Sequence, residues 1–229
     1  MRLYLIRHAE SVWNAEDRVQ GHGDSPLTDA GLAQAERLGR RLASCKIGEL
    51  YASPLQRALQ TAQAVSRMVR VPVVTRSALR EIFLGAWEGK TPAEVNAGFQ
   101  NGFELWSRRP TAVTIPDSEP IDRFRTRAIH AIDQIMRQAD DRARVPAADG
   151  RAQGVSIDES RSTAVAVVTH GGVIAAYLAH VLGADFDFLL RRLHINNTGV
   201  TIFEALDAEH PAILAVNDLQ HLNHHATSA

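Results

Sequence analysis

Leu3-Tyr4-Leu5-Ile6-Arg7-His8-Ala9-Glu10-Ser11-Val12-Trp13-Asn14 joins a short apolar run to an Arg-His pair at the head of a polar, turn-forming segment. A strand over about Arg2 to Ile6 would carry that pair to its carboxyl end, the edge at which open α/β sheets collect ligands. An Arg-His dipeptide alone is weak evidence, because most such pairs are surface charge beside a satisfied imidazole. Its meaning depends on what the rest of the chain brings to the same edge.

Strand-like and helix-like segments alternate along the chain, which argues for α/β layers around a mainly parallel sheet. Thr28 can cap a helix running towards Leu42, with Leu32, Ala35, Leu38 and Leu42 recurring near helical spacing as a core stripe. A strand near Leu50 to Ala52 precedes Ser53 as an N-cap and Pro54 at the first helical position, which puts Arg57 in the first turn. Val71 to Val74 is a third strand, and Thr91-Pro92-Ala93-Glu94 reads as a capping box. After Ser118 the residues Ile121, Phe124, Ala128, Ile132 and Ile135 form the apolar stripe of another helix. The stretch 139–162, rich in Asp, Arg, Gly, Pro and Ser, reads as a helix tail followed by an exposed insertion. Ala164 to Thr169 is a buried strand, Gly172 to Leu182 a helix, and Val200 to Ala205 with Ile213 to Val216 two closing strands. The expected organisation is one domain over 1–229, with a flexible tail from about residue 220.

With 25 Lys and Arg against 26 Asp and Glu, and no basic block, neither nucleic acid nor an anionic membrane is an expected partner. The apolar amino-terminal run is too short for a signal peptide, and no long apolar stretch could span a bilayer, so a cytoplasmic location is expected. Cys45 is the one cysteine, which excludes an internal disulfide and favours a buried or inert thiol. There is no His-Glu-x-x-His pattern, no cysteine pair and no Walker-type phosphate loop. No metal or cofactor is therefore expected, and His221, His224 and His225 read as part of a disordered terminus.

Downstream of Arg7-His8 stand Ser25-Pro26-Leu27-Thr28, Ser53-Pro54-Leu55-Gln56-Arg57, Leu79-Arg80-Glu81 and Val168-Thr169-His170-Gly171-Gly172. In this order the motifs resemble the histidine phosphatase superfamily, also called the phosphoglycerate mutase-like family. The resemblance covers roughly Met1 to Ile174 and implies a three-layer α/β/α fold. One departure is Ala9, where the family usually has Gly, which adds a methyl beside the expected nucleophile.

The resemblance implies a catalytic set of Arg7, His8, Arg57, Glu81 and His170. Arg7 and Arg57 would grip phosphate oxygens with planar, two-pronged guanidinium groups. His8 would attack phosphorus as a neutral imidazole whose other ring nitrogen is fixed by an acceptor, a nearby carbonyl being the expected one. The arginines would oppose its protonation. His170, if protonated, would donate to an equatorial oxygen. Glu81 would give a proton to the leaving alkoxide and later activate water, with Glu88 as the reserve candidate. Asn14, Gln20 and Gly21, with Gly171, match positions that line the phosphate, although Asn14 and Gln20-Gly21 could equally serve a turn.

The fate of the phosphohistidine separates two activities. Phe83-Leu84-Gly85-Ala86-Trp87-Glu88-Gly89 resembles the phosphatase side and lacks the Glu-Arg-x-Tyr-Gly pattern typical of mutases. Arg108-Arg109, in contrast, could bind a second acidic group, as a similar pair does in mutases. The reading adopted is a metal-independent phosphomonoester hydrolase acting on a small phosphorylated metabolite. A cofactor-dependent phosphoglycerate mutase and a non-catalytic phosphate-binding module are the alternatives. The rims 99–114 and 139–162 are expected to choose the substrate, and a homodimer is compatible with the resemblance.

Overall fold

The computed structural model describes residues 1–144, 164–205 and 211–223. In chain order these form β1 (Arg2–Arg7), α1 (Val12–Ala15), α2 (Asp29–Leu42), β2 (Ile47–Ala52), α3 (Gln56–Val69), β3 (Val73–Thr75), α4 (Pro92–Gly98), α5 (Gly102–Arg108), α6 (Ile121–Arg144), β4 (Ala164–Thr169), α7 (Gly171–Leu182), α8 (Phe186–Arg192), β5 (Val200–Ala205) and β6 (Pro211–Asp218). The six strands make one sheet in the order β3-β2-β4-β1-β5-β6. β3, β2, β4 and β1 run parallel, and β5 and β6 close the other edge antiparallel.

Side-chain alternation along the central strands builds the layers. Leu3 and Leu5 of β1 and Val165 and Val167 of β4 face a core shared with Phe124, Ala128 and Ile132 of α6 and most of α7. Tyr4 and Ile6, with Ala164, Ala166 and Val168, face the opposite way, against Leu38 and Leu42 of α2 and Ala58, Ala62 and Val65 of α3. The sheet is therefore sandwiched between helices, the α/β/α arrangement expected. α7 is buried from Val173 to Ala179, which explains why it is apolar on every side. No helix among the described residues is long and apolar enough to cross a membrane.

Several local expectations change. Thr28 does cap α2, accepting from Gly31 N–H at 2.9 Å, but Leu32 is 44% exposed and the buried stripe is Ala35, Leu38 and Leu42. α3 begins at Gln56 with Leu55 at the N-cap, not at Pro54 after a Ser53 cap; the Ser53 hydroxyl lies 2.8 Å from the His170 ring. Thr91 and Glu94 form the expected capping box of α4. The helix after Ser118 starts at Ile121 and continues through Ala139 to Arg144, the helix tail expected there, and the rest of the expected insertion lies outside the described residues. The tail is ordered beyond residue 220: Gln220–Leu222 makes a 3-10 turn, and the His221 ring lies 2.9 Å from Thr198 Oγ1 and 3.3 Å from Arg41. His224 and His225 lie outside the described residues.

Candidate active site

β1 and β4 are parallel neighbours paired through Arg7 and Thr169, so the residues that follow them, His8 and His170, leave the sheet side by side. His8 N–H donates to Thr169 O at 2.9 Å, and the two imidazole centroids are 5.3 Å apart. β2, on the other side of β4, brings Ser53 to the same edge through Ser53 N–H and Val168 O at 3.0 Å. Three adjacent strand ends thus supply the floor of one site.

His8 is buried, with Nδ1 2.8 Å from the Ala9 carbonyl. That contact fixes the proton on Nδ1 and leaves the Nε2 lone pair free, where Arg57 Nε donates at 3.2 Å. Burial first, then Arg57 and Arg7, hold the His8 pKa well below that of an ordinary imidazole. The expected carbonyl acceptor is therefore present, and so is the expected effect of the arginines. Ala9 causes no backbone strain: its φ is not positive, its N–H donates to Thr61 Oγ1 at 3.0 Å, and its methyl packs with Leu27, Ala35 and Ala64.

Arg57 is almost wholly buried near the start of α3 and also donates to the carbonyls of Gly23 and Gly21, both at 2.8 Å. Burial lowers its pKa to about 10, which still leaves it charged at neutral pH. Arg7 donates to Ile195 O, and its pKa falls through burial while Glu81 opposes the fall. Ser11 Oγ donates to Gln20 Oε1 at 2.9 Å, and Asn14 Oδ1 accepts from Ser11 N–H and Asn197 Nδ2. Their oxygens are thus engaged, and no partner of either NH2 group is found among the described residues.

Arg7, His8, Asn14, Gln20, Gly21, Arg57, Glu81 and Gly171 line one cavity of about 370 Å3. His170 lies buried behind them. Its Nε2 is 2.8 Å from Ser53 Oγ, which also accepts from Leu55 N–H at 3.4 Å; where the Ser53 hydroxyl donates to this nitrogen, the ring carries its own proton on Nδ1. Nδ1 is buried and has no hydrogen-bond partner among the described residues. Burial and then Arg57 push its pKa well below the ordinary value, which favours the neutral ring over the protonated one considered from the sequence; a neutral ring can still donate from Nδ1–H.

The two candidate acids separate clearly. Glu81 enters the cavity, with Oε1 accepting from Ile82 N–H and Oε2 from Gly172 N–H, both at 3.0 Å. Glu88 does not line it: Oε1 is tied to His22 N–H at 2.7 Å and Leu84 N–H at 2.9 Å, a structural use. Gly172 makes room for the acid, because a Cβ there would lie 2.4 Å from Glu81 Oε1. Arg108 and Arg109 are exposed and absent from the cavity lining, and Arg108 pairs with Glu104.

Sequence reasoning missed the supports of the site. Asn197 Nδ2 donates to His8 O at 3.0 Å. Arg127 donates to the carbonyls of Ala78, Arg80 and Glu81 and pairs with Glu119 at 2.7 Å, which holds the Glu81 segment. His22 Nε2 adds a 2.8 Å contact to Glu81 O. Each acts across a long sequence separation from outside the motifs, and only the Ser53 signal was visible, read as a cap.

The family model for the histidine phosphatase superfamily (branch 1) matches residues 3–152 and 147–219. Phosphoglycerate mutase-like protein 4 of Arabidopsis thaliana is 31% identical over 224 residues, covering 96% of this chain and 86% of that protein. A Hydrogenobacter thermophilus protein named "Putative phosphoserine phosphatase 2" is 28% identical over 220 residues, covering 96% and 97% of the two chains. The solved structure of Bacillus stearothermophilus YhfR is similar with a TM-score of 0.82 at 32% identity, over 97% of this chain and 99% of that one. With its paired histidines at adjacent strand ends and two arginines beside them, one buried and one partly buried, this chain belongs to branch 1 of the histidine phosphatase superfamily.

Proposed function

We propose that the protein is a phosphomonoester hydrolase that acts on a small phosphorylated metabolite through a phosphohistidine at His8. The observation that carries this is the His8 ring itself: Nδ1 is tied to Ala9 O, and Nε2 is a neutral base that accepts from the buried Arg57 guanidinium, with Arg7 also lowering its pKa. Arg7 and Arg57, with the amides of Asn14 and Gln20, bind the phosphoryl oxygens, so the positive charge that opposes repulsion comes from the chain itself without a metal. The Nε2–P bond forms as the ester P–O bond breaks, and Glu81, as a carboxylic acid, gives its proton to the departing alkoxide. His170 donates from Nδ1–H to a phosphoryl oxygen. In the second step Glu81 takes a proton from water, the water oxygen bonds to phosphorus, and the electron pair returns to Nε2.

The mutase alternative needs a second cationic site that holds the acid substrate for return transfer. Arg108 and Arg109, the pair considered for that role, are outside the cavity, which favours transfer to water. The test is rapid quenching with a 32P-labelled aryl phosphate. The expected result is an acid-labile, base-stable adduct that disappears in His8→Ala, together with net phosphate release. Product formation without an adduct overturns the mechanism. Isomerisation of 3-phosphoglycerate in the presence of a bisphosphate primer, with little phosphate released, overturns the choice of hydrolase. Phosphate binding without turnover would support the non-catalytic module.

A further inference from the structure

The phosphate-binding groups account for the floor of the cavity but not for its walls. Phe103 and Trp106 of α5, Ile121 at the start of α6, Phe186 and Leu190 of α8 and Leu193 just beyond it are among the apolar residues that line the rest. Contacts within the protein hold several of them in place. The Asp187 carboxylate, buried in α8, accepts from Thr111 N–H at 3.0 Å and Thr111 Oγ1 at 2.6 Å, pinning α8 to the segment that follows α5. Trp106 packs edge-on to the buried Trp87, with ring centroids 6.0 Å apart. A preformed apolar wall loses little when a hydrophobic group fills it, because its own side chains are already ordered.

The walls also lack a place for a second anion. Among the described lining residues, the basic side chains beyond Arg7, His8 and Arg57 are Arg18 and His194. Arg18 is engaged already, with Nε at 2.7 Å from Glu16, NH1 donating to Gly89 O at 2.8 Å, and Glu94 at 3.7 Å. Asp17 lines the cavity beside it and opposes negative charge, while His194 is exposed to solvent.

We propose that the alcohol part of the substrate is hydrophobic and carries no second anionic group: a phosphomonoester of an aliphatic or aromatic alcohol of about hexyl to naphthyl size. This rests on the hydrolase reading above and names the substrate class of the same site. The phosphate anchors on Arg7 and Arg57, and the carbon chain leaves water for the aromatic and aliphatic wall. Each methylene so transferred strengthens binding severalfold.

Hexyl phosphate, glycerol 3-phosphate and 3-phosphoglycerate are compared on the full chain by phosphate release. Glycerol is the slightly better leaving alcohol, so a preference for the hexyl ester cannot come from leaving-group chemistry. The expected kcat/KM for hexyl phosphate exceeds that for each of the others by about thirtyfold. Equal or reversed values overturn the proposal while leaving a phosphatase. Phe103→Arg places a cation in the wall and is expected to narrow the hexyl to phosphoglycerate ratio by about tenfold, and an unchanged ratio sinks the assignment of that wall. Calorimetry with hexylphosphonate and methylphosphonate reads the walls without turnover. If no ester is hydrolysed, the hydrolase reading fails separately, and hexylphosphonate binding no tighter than methylphosphonate would end the substrate proposal as well.

Discussion

Arg57 Nε donates to His8 Nε2 across 3.2 Å, so a guanidinium covers the lone pair that would attack phosphorus. The same side chain holds the carbonyls of Gly21 and Gly23, and the planar fork reaches all three at once. Arg57→Lys keeps a charge but has one point of contact instead of a fork. Two lost charge-assisted hydrogen bonds correspond to about a hundredfold fall in kcat/KM. Steady-state assays on an aryl phosphate check this, and a fall of less than about threefold would remove Arg57 from the phosphate grip.

Stability should fall in mild acid. His8 and His170 are buried with pKa values depressed well below an ordinary imidazole, and His221 is depressed to about 4. Below the unfolded-state value of about 6.5 the unfolded chain takes up protons that the folded chain does not, so stability is full above that pH and declines as pH falls. Each imidazole that stays neutral contributes a slope of up to about 1.4 kcal/mol per pH unit. Urea denaturation between pH 7.5 and 5.5 should show the decline, and His8→Asn should make it shallower. A flat profile would mean that these rings protonate without cost in the folded state.

Ser53→Ala tests the link between a hydroxyl and a tautomer. Without the Ser53 proton at Nε2, the neutral His170 ring is free to place its own proton on either nitrogen. A fall in kcat of about tenfold is expected, with KM changed less. Nitrogen-15 NMR of the imidazole separates this from a packing defect: the Nδ1–H form should lose population in the variant. An unaltered tautomer signal together with unaltered kcat would contradict the assignment.

Glu81→Gln and Glu88→Gln should behave differently. The first removes the proton donor from the cavity, so kcat/KM should fall about a hundredfold for an alkyl ester and much less for p-nitrophenyl phosphate, whose leaving group needs no proton. Glu88→Gln keeps an oxygen to accept from His22 N–H and Leu84 N–H, so activity should stay within about threefold. Equal sensitivity of both esters to Glu81→Gln would argue against a proton-donor role.

Gly172→Ala tests the packing of that acid. The added methyl would meet Glu81 Oε1 at 2.4 Å and must displace the carboxylate. Activity on the alkyl ester should fall about tenfold or more while the thermal midpoint changes little, because the carboxylate faces a cavity and can swing away. A wild-type rate would show that the position of the acid is not critical.

The order of motifs, read from the chain alone, led to the layered fold and to the five residues at the centre of the site. Strand periodicity, caps and charge at a strand end are local signals, and local signals survive in one dimension. Where a residue has two local uses, the sequence could not rank them. Ser53 has the chemistry of an N-cap, but the pairing of β2 with β4 sets it against His170. Glu88 and Glu81 are alike in type and close in the chain, both accept from backbone amides, and only the fold leaves one of them, Glu81, lining the cavity.

What the sequence by itself determined was therefore the inventory: which strands alternate, and which histidines and arginines are available. The tertiary structure alone decided protonation and enclosure. The depressed basicity of His8 and His170 requires burial among arginines from distant segments, and the apolar walls require α5, α6 and α8 to meet over the strand ends. Both depend on distances between residues far apart in the chain, and desolvation and electrostatic coupling are functions of those distances.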